Sequence, residues 1–195
     1  MTKSPSYNLT FGMDEVGRGC FAGPIVAAAV AFEKDYVWIK NIKDSKLLTH
    51  KKRKQLSRLI LKNAICFIEL IDVDIINKLG IGEANRLIFE KLVIKISKKY
   101  GNKNVYFQID GSKKKIKGKN IDFIVRGDQR VTSISAASII AKAYRDELME
   151  SLENRYPGYN FSKNKGYGTK FHQKAIKKLG LCEIHRKSFN LNKFL

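Results

Sequence analysis

Residues 9–32, LTFGMDEVGRGCFAGPIVAAAVAF, contain two apolar stretches joined by a glycine-rich segment. The stretches at 9–13 and 25–32 are rich in β-forming residues, and glycine, proline and charged residues lie between them. This pattern predicts two strands paired as a β-hairpin. The hairpin therefore supplies the first two strands of the expected sheet.

Downstream of the hairpin, strand patterns alternate with helical ones. Residues 64–71, 105–109 and 121–125 are short apolar runs bounded by turn signals, which is typical of strands. Thr49 can cap a first helix, and residues 83–99 carry apolar side chains at helical spacing. A longer helix is predicted from five residues that would share one face: Ile134, Ala137, Ala141, Tyr144 and Leu148. This order of elements implies an α/β domain around a mixed sheet.

The composition changes beyond Pro157, where glycine, tyrosine, asparagine and lysine become frequent. Thr169 can cap a short helix in this region, and Gly180 can end it. There is no internal repeat and no low-complexity segment. We therefore expect a main domain over residues 1–155 and a small C-terminal helical appendage over residues 156–195.

The chain has 38 Lys and Arg residues against 18 Asp and Glu residues, which gives a formal net charge of +20. Such a field attracts polyanions and provides affinity for phosphate backbones that does not depend on base sequence. A basic run at residues 51–54 begins the first predicted helix, where cations oppose the helix dipole. This position suggests contact with phosphate, although a solvated basic face would show the same pattern. Composition thus favours a nucleic-acid partner and names no reaction.

The three cysteines, Cys20, Cys66 and Cys182, are far apart in the sequence and form no CxxC pair. Neither a disulfide framework nor a zinc ribbon is therefore expected. Residues 1–10 lack the apolar stretch of a signal peptide, and no run approaches the roughly 18 apolar residues of a membrane span. We expect a soluble, cytoplasmic protein without a membrane partner.

Four acidic residues stand out by their position relative to the predicted strands. Asp14 and Glu15 follow the first strand run, Asp110 follows the run at 105–109, and Asp128 lies shortly after the next one. Open α/β sheets usually bind ligands at strand ends. Adjacent strand residues point to opposite faces, so Asp14 and Glu15 can share a site only where their strand bends or ends. A tight turn after Asp110 and a loop around Asp128 are the structural alternatives.

Gathered in one site, these carboxylates would provide oxygen ligands suited to Mg²⁺ or Mn²⁺. Two such ions, about 3.5 to 4 Å apart, can activate a water and stabilise the leaving oxygen in phosphodiester hydrolysis. The motifs GxGxxG, GxxxxGK[ST], HExxH and GxSxG do not occur, which removes the commonest competing chemistries. His50, His172 and His185 stand singly in the sequence and are interpreted as capping or packing residues. A basic surface with an acidic metal site indicates a nuclease.

A series of short stretches together resembles the ribonuclease HII family over nearly the whole chain. In the family's order they are GMDEVGRG at 12–19, DSKLL at 44–48, IDG at 109–111, GD at 127–128, SAASIIAK at 135–142, YPGY at 156–159, KGYGT at 165–169 and HR at 185–186. Such a series is far more specific than any single motif. The chain departs from the family at Cys20-Phe21, where Pro-Leu is common, and at Gln129, where Ser is common.

The resemblance implies a ribonuclease H-like fold, a mixed sheet flanked by helices, with the catalytic domain at 1–155. It also implies four catalytic residues that hold the metal: Asp14, Glu15, Asp110 and Asp128. Asp146 competes with Asp128 for the fourth place. However, Asp146 lies four residues after Lys142 on a predicted helix, so an ion pair with that lysine is its simpler explanation. Asp128 is the preferred residue.

Substrate-binding residues follow from the same resemblance. The family's Gly-Arg-Gly element, whose backbone contacts the ribonucleotide 2′-hydroxyl and a phosphate, maps onto Gly17, Arg18 and Gly19. The family's junction-sensing tyrosine, which stacks on the deoxyribose after the ribonucleotide, maps onto Tyr167 in the appendage. Phosphate contacts are expected at three further residues: Ser45, Lys46 and Lys142.

The implied function is an endonuclease that hydrolyses the RNA strand of RNA–DNA hybrids. It would also cut 5′ to single ribonucleotides in duplex DNA, leaving 3′-hydroxyl and 5′-phosphate ends, with Mg²⁺ or Mn²⁺ as cofactor. The expected partners are RNA–DNA hybrid duplexes and DNA containing ribonucleotides, bound by a monomer. Two alternatives remain open at this point. One is a non-catalytic nucleic-acid-binding protein, and the other is a DNA nuclease or resolvase on a related fold.

Overall fold

The computed structural model describes residues 8–34, 36–42, 49–102, 104–113 and 115–195. Of the residues assigned to a site from the sequence, Ser45 and Lys46 lie outside these ranges, and all others lie within them. In the described part of the chain, no helix is long and apolar enough to cross a membrane.

One mixed sheet of five strands forms the centre of the fold. The strands are β1 (Leu9–Val16), β2 (Ile25–Ala31), β3 (Ile65–Ile71), β4 (Val105–Asp110) and β5 (Ile121–Ile124), in the spatial order β3-β2-β1-β4-β5. β2 pairs antiparallel with both β1 and β3, whereas β4 runs parallel to both β1 and β5. The predicted hairpin and the predicted mixed sheet are therefore confirmed.

Helices connect the strands. Among the described residues they are α1 (His50–Asn63), α2 (Val73–Leu79), α3 (Ile81–Tyr100), α4 (Gly127–Arg130), α5 (Thr132–Ser151), α6 (Phe161–Asn164) and α7 (Lys170–Leu179), with 3-10 helices at Val37–Ile42 and Asn192–Phe194. Thr49 caps α1 and Thr169 caps α7, each through its side-chain oxygen, as predicted. The sequence did not indicate α2, because a helix of seven residues is too short to show a period.

The sheet is covered on both faces. On one face, Ile88 and Leu92 of α3 share an apolar core with Phe11 of β1. On the other face, α5 packs against β2 through small residues such as Ala137. β2 lies between these layers, and all seven of its residues are buried. This arrangement places the ends of β1 and β4 beside α5.

The buried face of α5 differs from the predicted one. Ile134, Ala137 and Ala141 are fully buried as predicted, but Tyr144 is 40% exposed and Arg145 is fully buried. Residues four apart lie on the same face of a helix, so the buried residue that follows Ala141 is Arg145. The prediction that Tyr144 shares the face of Ile134, Ala137 and Ala141 is therefore wrong.

The C-terminal residues pack against the glycine-rich segment that follows β1. Isolated β-bridges join Cys20 to Tyr167 and Ala22 to His185. An apolar cluster forms at this contact from Ala22, Met149, Tyr159, Phe161, Ala175 and Ile176. The contact brings Tyr167 to the end of the sheet, and the domain boundary after residue 155 stays a prediction.

Candidate active site

Two of the predicted acids lie side by side on neighbouring strands. Met13 of β1 pairs with Ile109 of β4, so Asp14 and Asp110 are the next residues on two parallel strands. The side chains of Met13 and Ile109 belong to the core beneath α3. Because side chains alternate along a strand, Asp14 and Asp110 point to the opposite face, toward α5.

A cleft of about 370 Å³ opens at this end of the sheet. Its lining residues are Asp14, Glu15, Val16, Arg53, Asp110, Asp128, Ser138, Ile139, Lys142 and Tyr167. Glu15, one residue before the end of β1 at Val16, lines the same cleft as Asp14. The structure thus brings together all four predicted acids, together with Lys142 and Tyr167.

Backbone hydrogen bonds hold Asp110 in place. Its Oδ1 accepts from the N–H of Gly127 at 2.6 Å and from the N–H of Asp128 at 3.4 Å. These bonds tie the end of β4 to α4, the short helix that carries Asp128. A similar local bond runs from the N–H of Glu15 to Oδ1 of Asp14 at 2.8 Å. The carboxylates of Asp14 and Asp110 are therefore placed by backbone contacts.

The surroundings of Asp14 in the cleft disfavour the ionised form of its carboxyl group. Burial, with smaller contributions from the negative charges of Glu15 and Asp110, raises the pKa of Asp14 to about 7, although a hydrogen bond from Ser138 partly opposes the rise. A carboxyl group in this position resists ionisation unless positive charge is supplied nearby. The cleft consequently favours a cation.

Asp128 and Asp146 have different surroundings. Asp128 lines the cleft with the other three acids. Asp146 lies on α5, one turn after Lys142, and its Oδ1 is 2.6 Å from Nζ of that lysine. The ion pair predicted for Asp146 is thus present, and the geometry favours Asp128 as the fourth acid of the site.

Two fully buried arginines hold the glycine-rich segment. Arg145 of α5 donates from Nη2 to the carbonyl of Ala22 at 3.0 Å. Arg186 donates from Nε to the carbonyl of Gly23 at 2.9 Å and from Nη1 to the carbonyl of Arg18 at 2.9 Å. Burying a guanidinium is costly unless acceptors satisfy it, and backbone carbonyls are the acceptors here, with Nη2 of Arg186 left without a partner among the described residues. These two residues fix the backbone that carries the predicted Gly-Arg-Gly element.

Tyr167 forms one wall of the cleft and is 37% exposed. Its side chain is hydrogen-bonded to Cys20. Nζ of Lys142 lies 5.5 Å and Cζ of Arg145 lies 5.9 Å from the ring centre. These contacts hold the aromatic ring at the rim of the cleft, with part of its surface open to a ligand.

Comparison with known proteins identifies the family. A family model described as Ribonuclease HII matches residues 11–192. The ribonuclease HII of Borrelia duttonii (strain Ly) is 44% identical over 185 residues, covering 92% of this chain and 98% of the relative. The chain belongs to the ribonuclease HII family. It is a ribonuclease H, an endoribonuclease that cleaves the RNA of RNA–DNA hybrids, and this decides against the two alternatives left open by the sequence.

Solved structures share the fold of this ribonuclease HII. Ribonuclease H2 from Pyrococcus horikoshii OT3 matches with a TM-score of 0.77 and 23% identity, covering 95% of this chain and 96% of that chain. Bst-RNase HIII in complex with Mn²⁺ matches with a TM-score of 0.67 and 22% identity, covering 98% of this chain and 70% of that chain. The predicted ribonuclease H-like fold is therefore confirmed.

The donor set of this ribonuclease HII cleft fits a hard divalent cation. The donors are carboxylate oxygens, which Mg²⁺ and Mn²⁺ prefer. A cation would also stabilise the ionised form of Asp14, which burial and the neighbouring negative charges disfavour. Across the described ranges, no group of three or more His, Cys, Asp or Glu residues forms a ready metal-binding cluster. The assignment of the four acids as metal ligands therefore stays a prediction.

Several features of the ribonuclease HII site were missed from the sequence. Ser138 and Arg186 lie in stretches that resemble the family, but no role at the site was predicted for them or for Arg145. The signals for Arg145 were the resemblance of the pair Arg145-Asp146 to the family and its position four residues after Ala141, on the small-residue face of α5. The interpretation of the histidines as packing residues is confirmed for His172 and His185, but their mutual contact in the interior was not predicted.

The glycines of the Gly-Arg-Gly element have different structural demands. Gly17 has a φ of +94°, and an added Cβ would lie 2.3 Å from Nε of Arg145, whereas a Cβ on Gly19 would meet no heavy atom within 4 Å. We expect Gly17→Ala to lower the free energy of unfolding by about 2 to 4 kcal/mol, because it combines backbone strain with a clash. Gly19→Ala should change it by less than about 0.5 kcal/mol. Urea unfolding of both variants checks this, and equal stabilities would contradict the assigned packing.

Proposed function

We propose that this ribonuclease HII cuts duplex DNA on the 5′ side of a single embedded ribonucleotide, in addition to cleaving RNA–DNA hybrids. The cut leaves a 3′-hydroxyl and a 5′-phosphate that carries the ribonucleotide. One observation carries the proposal: Tyr167 lines the cleft of the four acids, and the Gly-Arg-Gly element begins directly after Val16 at the same cleft. Catalytic acids, a ribose-recognition element and a sugar-stacking ring are thus close enough to act on one junction.

The Gly-Arg-Gly element is suited to recognise the 2′-hydroxyl, the group that distinguishes RNA from DNA. Gly19 has open space where a side chain would be, so a ribose can approach the backbone closely. The side chain of Arg18 is 57% exposed and its Nη1 lies 3.5 Å from Oε1 of Glu15. The side chain of Arg18 therefore extends from the recognition element toward the acids, where it could provide a positive charge for a phosphate.

Mg²⁺ or Mn²⁺ is the proposed cofactor, held by the carboxylates of Asp14, Glu15, Asp110 and Asp128. Bound ions of this kind activate a water and stabilise the leaving oxygen of a phosphodiester, and two of them are proposed here. The Mn²⁺ complex of Bst-RNase HIII supports a divalent cation. The chain's own contribution is orientation, since the hydrogen bonds from Gly127 and Asp128 fix the Asp110 carboxylate.

Phosphate contacts are proposed along both walls of the cleft. Arg53 in the first turns of α1 lines the cleft, as does Lys142 of α5. This supports the interpretation of the basic run at 51–54 as facing phosphate, although Lys54 also pairs with Glu147 at 3.1 Å. The proposed contacts at residues 45 and 46 stay predictions from the sequence.

Substrate binding should weaken steeply with salt. Each phosphate neutralised by a lysine or arginine releases counterions, so log affinity falls linearly with log salt concentration with a slope of roughly −0.9 per phosphate contact on duplex DNA. We expect Arg53→Gln to make this slope less steep by roughly 0.9, the equivalent of one phosphate contact, because Arg53 lines the cleft. Fluorescence anisotropy in Ca²⁺ buffer at several salt concentrations measures the slope. A flat plot would show that the charge of +20 does not serve nucleic-acid binding.

We further propose a cytoplasmic monomer whose partners are RNA–DNA hybrids and DNA that contains ribonucleotides. Three free cysteines, Cys20, Cys66 and Cys182, are in keeping with a reducing compartment. Sedimentation of the purified chain tests the oligomeric state. A stable dimer at micromolar concentration would contradict the monomer.

Cleavage of an end-labelled DNA duplex with one ribonucleotide tests the proposed function. The duplex is incubated with Mg²⁺, with Mn²⁺ or with EDTA, and products are separated on a denaturing gel. Matched controls are an all-DNA duplex and an RNA duplex of the same base sequence. We expect one cut that requires the metal and leaves both controls intact. Comparable cleavage of the all-DNA duplex, or an intact ribonucleotide duplex at every metal concentration, would refute the proposal.

A further inference from the structure

Two histidines of the C-terminal region contact each other in the interior. His172 lies in the first turn of α7 and His185 in the segment that follows it, and both are 0% exposed. Their Nε2 atoms are 3.0 Å apart. A contact of this length between two imidazole nitrogens requires one proton between them, because two lone pairs or two N–H groups would repel. The surrounding bonds decide which nitrogen carries that proton.

The bonds of His172 fix its tautomer. Nδ1 of His172 lies 2.9 Å from the carbonyl oxygen of Tyr167. A carbonyl oxygen only accepts hydrogen bonds, so Nδ1 of His172 must carry a proton. If the ring is neutral, its Nε2 is then the acceptor in the contact with His185.

The bonds of His185 fix the complementary tautomer. The backbone N–H of Cys182 lies 2.9 Å from Nδ1 of His185. A backbone N–H only donates, so Nδ1 of His185 carries no proton and Nε2 carries it. The carbonyl of Cys182 is also within 3.3 Å of Nδ1. A proton on Nδ1 pointing to that carbonyl would leave two lone pairs facing each other across the histidine contact.

We infer that His172 and His185 form a proton-ordered chain of neutral imidazoles that positions Tyr167. The chain runs from the N–H of Cys182 to His185, from Nε2–H of His185 to Nε2 of His172, and from Nδ1–H of His172 to the carbonyl of Tyr167. His172 and His185 are positioning residues, because neither lines the cleft.

The surroundings of the pair keep it neutral. Burial lowers the pKa of His185 to about 4, with a smaller contribution from His172, and burial also lowers the pKa of His172. The titratable groups that face the rings are Tyr159, whose ring centre is 5.0 Å from that of His185, and Cys182, whose Sγ is 3.1 Å from Nδ1. Neither supplies a negative charge at neutral pH that would favour an imidazolium.

The hydrogen-bond chain of the two histidines ends on Tyr167, the residue proposed to sense the junction. The carbonyl of Tyr167 also accepts the N–H of Thr169 at 2.8 Å, and Nε2 of Gln173 donates to the carbonyl of Gly168 at 2.8 Å. Thr169 and the first turn of α7 thus hold the backbone that directly follows the Cα of Tyr167. The functional part of the inference rests on the proposed role of Tyr167.

The tautomers are measured directly by long-range ¹H–¹⁵N correlation spectra of the full chain labelled with ¹⁵N-histidine. The chain has three histidines, so His172→Gln and His185→Gln assign the spectrum, and the exposed His50 serves as a reference. We expect His172 as the Nδ1–H tautomer and His185 as the Nε2–H tautomer, both unchanged from about pH 8 to about pH 5.5. A proton on Nε2 of His172, or a charged ring at neutral pH, would overturn the inferred hydrogen-bond chain.

Two substitutions of His172 separate positioning from packing. Asparagine places an amide N–H where Nδ1 of His172 lies, whereas the longer glutamine side chain places its amide nearer the position of Nε2. Hydrogen–deuterium exchange of the amides at residues 167–169 is the structural readout. We expect His172→Gln to speed exchange there by about tenfold and His172→Asn to restore most of the protection. Equal exchange in both variants and the parent chain would overturn the positioning role.

Activity provides the functional readout and is compared with Tyr167→Ala. The ratio of initial rates on the single-ribonucleotide duplex and on a long hybrid should fall in His172→Gln and recover in His172→Asn. If Tyr167→Ala lowers this ratio but a folded His172→Gln does not, the positioning inference is wrong. If Tyr167→Ala leaves the ratio unchanged, the junction role is wrong, while exchange and tautomers still decide whether the chain holds the loop.

Discussion

Replacing Asp110 by asparagine is expected to lower the cleavage rate by about 1,000-fold or more while leaving the fold intact. Losing a ligand charge removes several kcal/mol of transition-state stabilisation at a metal site, and each 1.4 kcal/mol corresponds to about tenfold in rate. Asparagine has nearly the same shape, and its Oδ1 can still accept the hydrogen bond from Gly127. Initial rates at saturating Mg²⁺ and a thermal melt measure the two effects.

Asp122→Asn is the matched control for this substitution. Asp122 lies on β5, the strand next to β4, and accepts a hydrogen bond from the hydroxyl of Tyr106 instead of lining the cleft. Its variant should cleave like the parent chain. A folded Asp110→Asn enzyme that keeps a tenth or more of the parent activity would remove Asp110 from the site.

Tyr167→Ala is expected to reduce cleavage of the single-ribonucleotide duplex by about 5- to 150-fold, the range for loss of a stacking contact of about 1–3 kcal/mol. Cleavage of a long hybrid should fall much less, because a ribose in the next position would place a hydroxyl against the ring. Tyr167→Phe keeps the ring and loses only the hydroxyl that bonds Cys20, so it should stay near the parent activity. Initial rates on both substrates measure the contrast.

A packing role would produce a different result. Tyr167 is joined to Cys20 by a β-bridge and could simply fasten the C-terminal region to the glycine-rich segment. In that case Tyr167→Ala would melt at a lower temperature and lose activity on both substrates alike. Equal losses on the two substrates, or no loss at all, would defeat the junction role.

Local patterns in the sequence were sufficient for most of the fold. The apolar runs of β1 and β2, the caps at Thr49 and Thr169 and the helical period of α3 each depend on neighbouring residues, and all are present. The errors arise where tertiary packing overrides local pattern. Whether position 144 or 145 of α5 faces the interior depends on the carbonyls of the glycine-rich segment, which lie more than a hundred residues earlier.

The candidate site shows the same division. Strand ends and family resemblance pointed to Asp14, Glu15, Asp110 and Asp128, and the structure gathers these acids in one cleft. The groups that support them could not be found in this way, because their partners are remote in sequence. Arg186 meets the carbonyl of Arg18, and the two buried histidines meet only when α7 and the following segment fold together.

The most direct test of the central claim is to map the cut in a duplex with one ribonucleotide, using strands labelled at either end. The proposed function predicts a single cut 5′ to the ribonucleotide, with a 3′-hydroxyl on the upstream fragment and a 5′-phosphate on the ribonucleotide. A phosphatase step and size markers identify the ends. A cut on the 3′ side, or an upstream fragment ending in a 2′,3′-cyclic phosphate, would indicate attack by the 2′-hydroxyl itself and contradict hydrolysis at the acidic cleft.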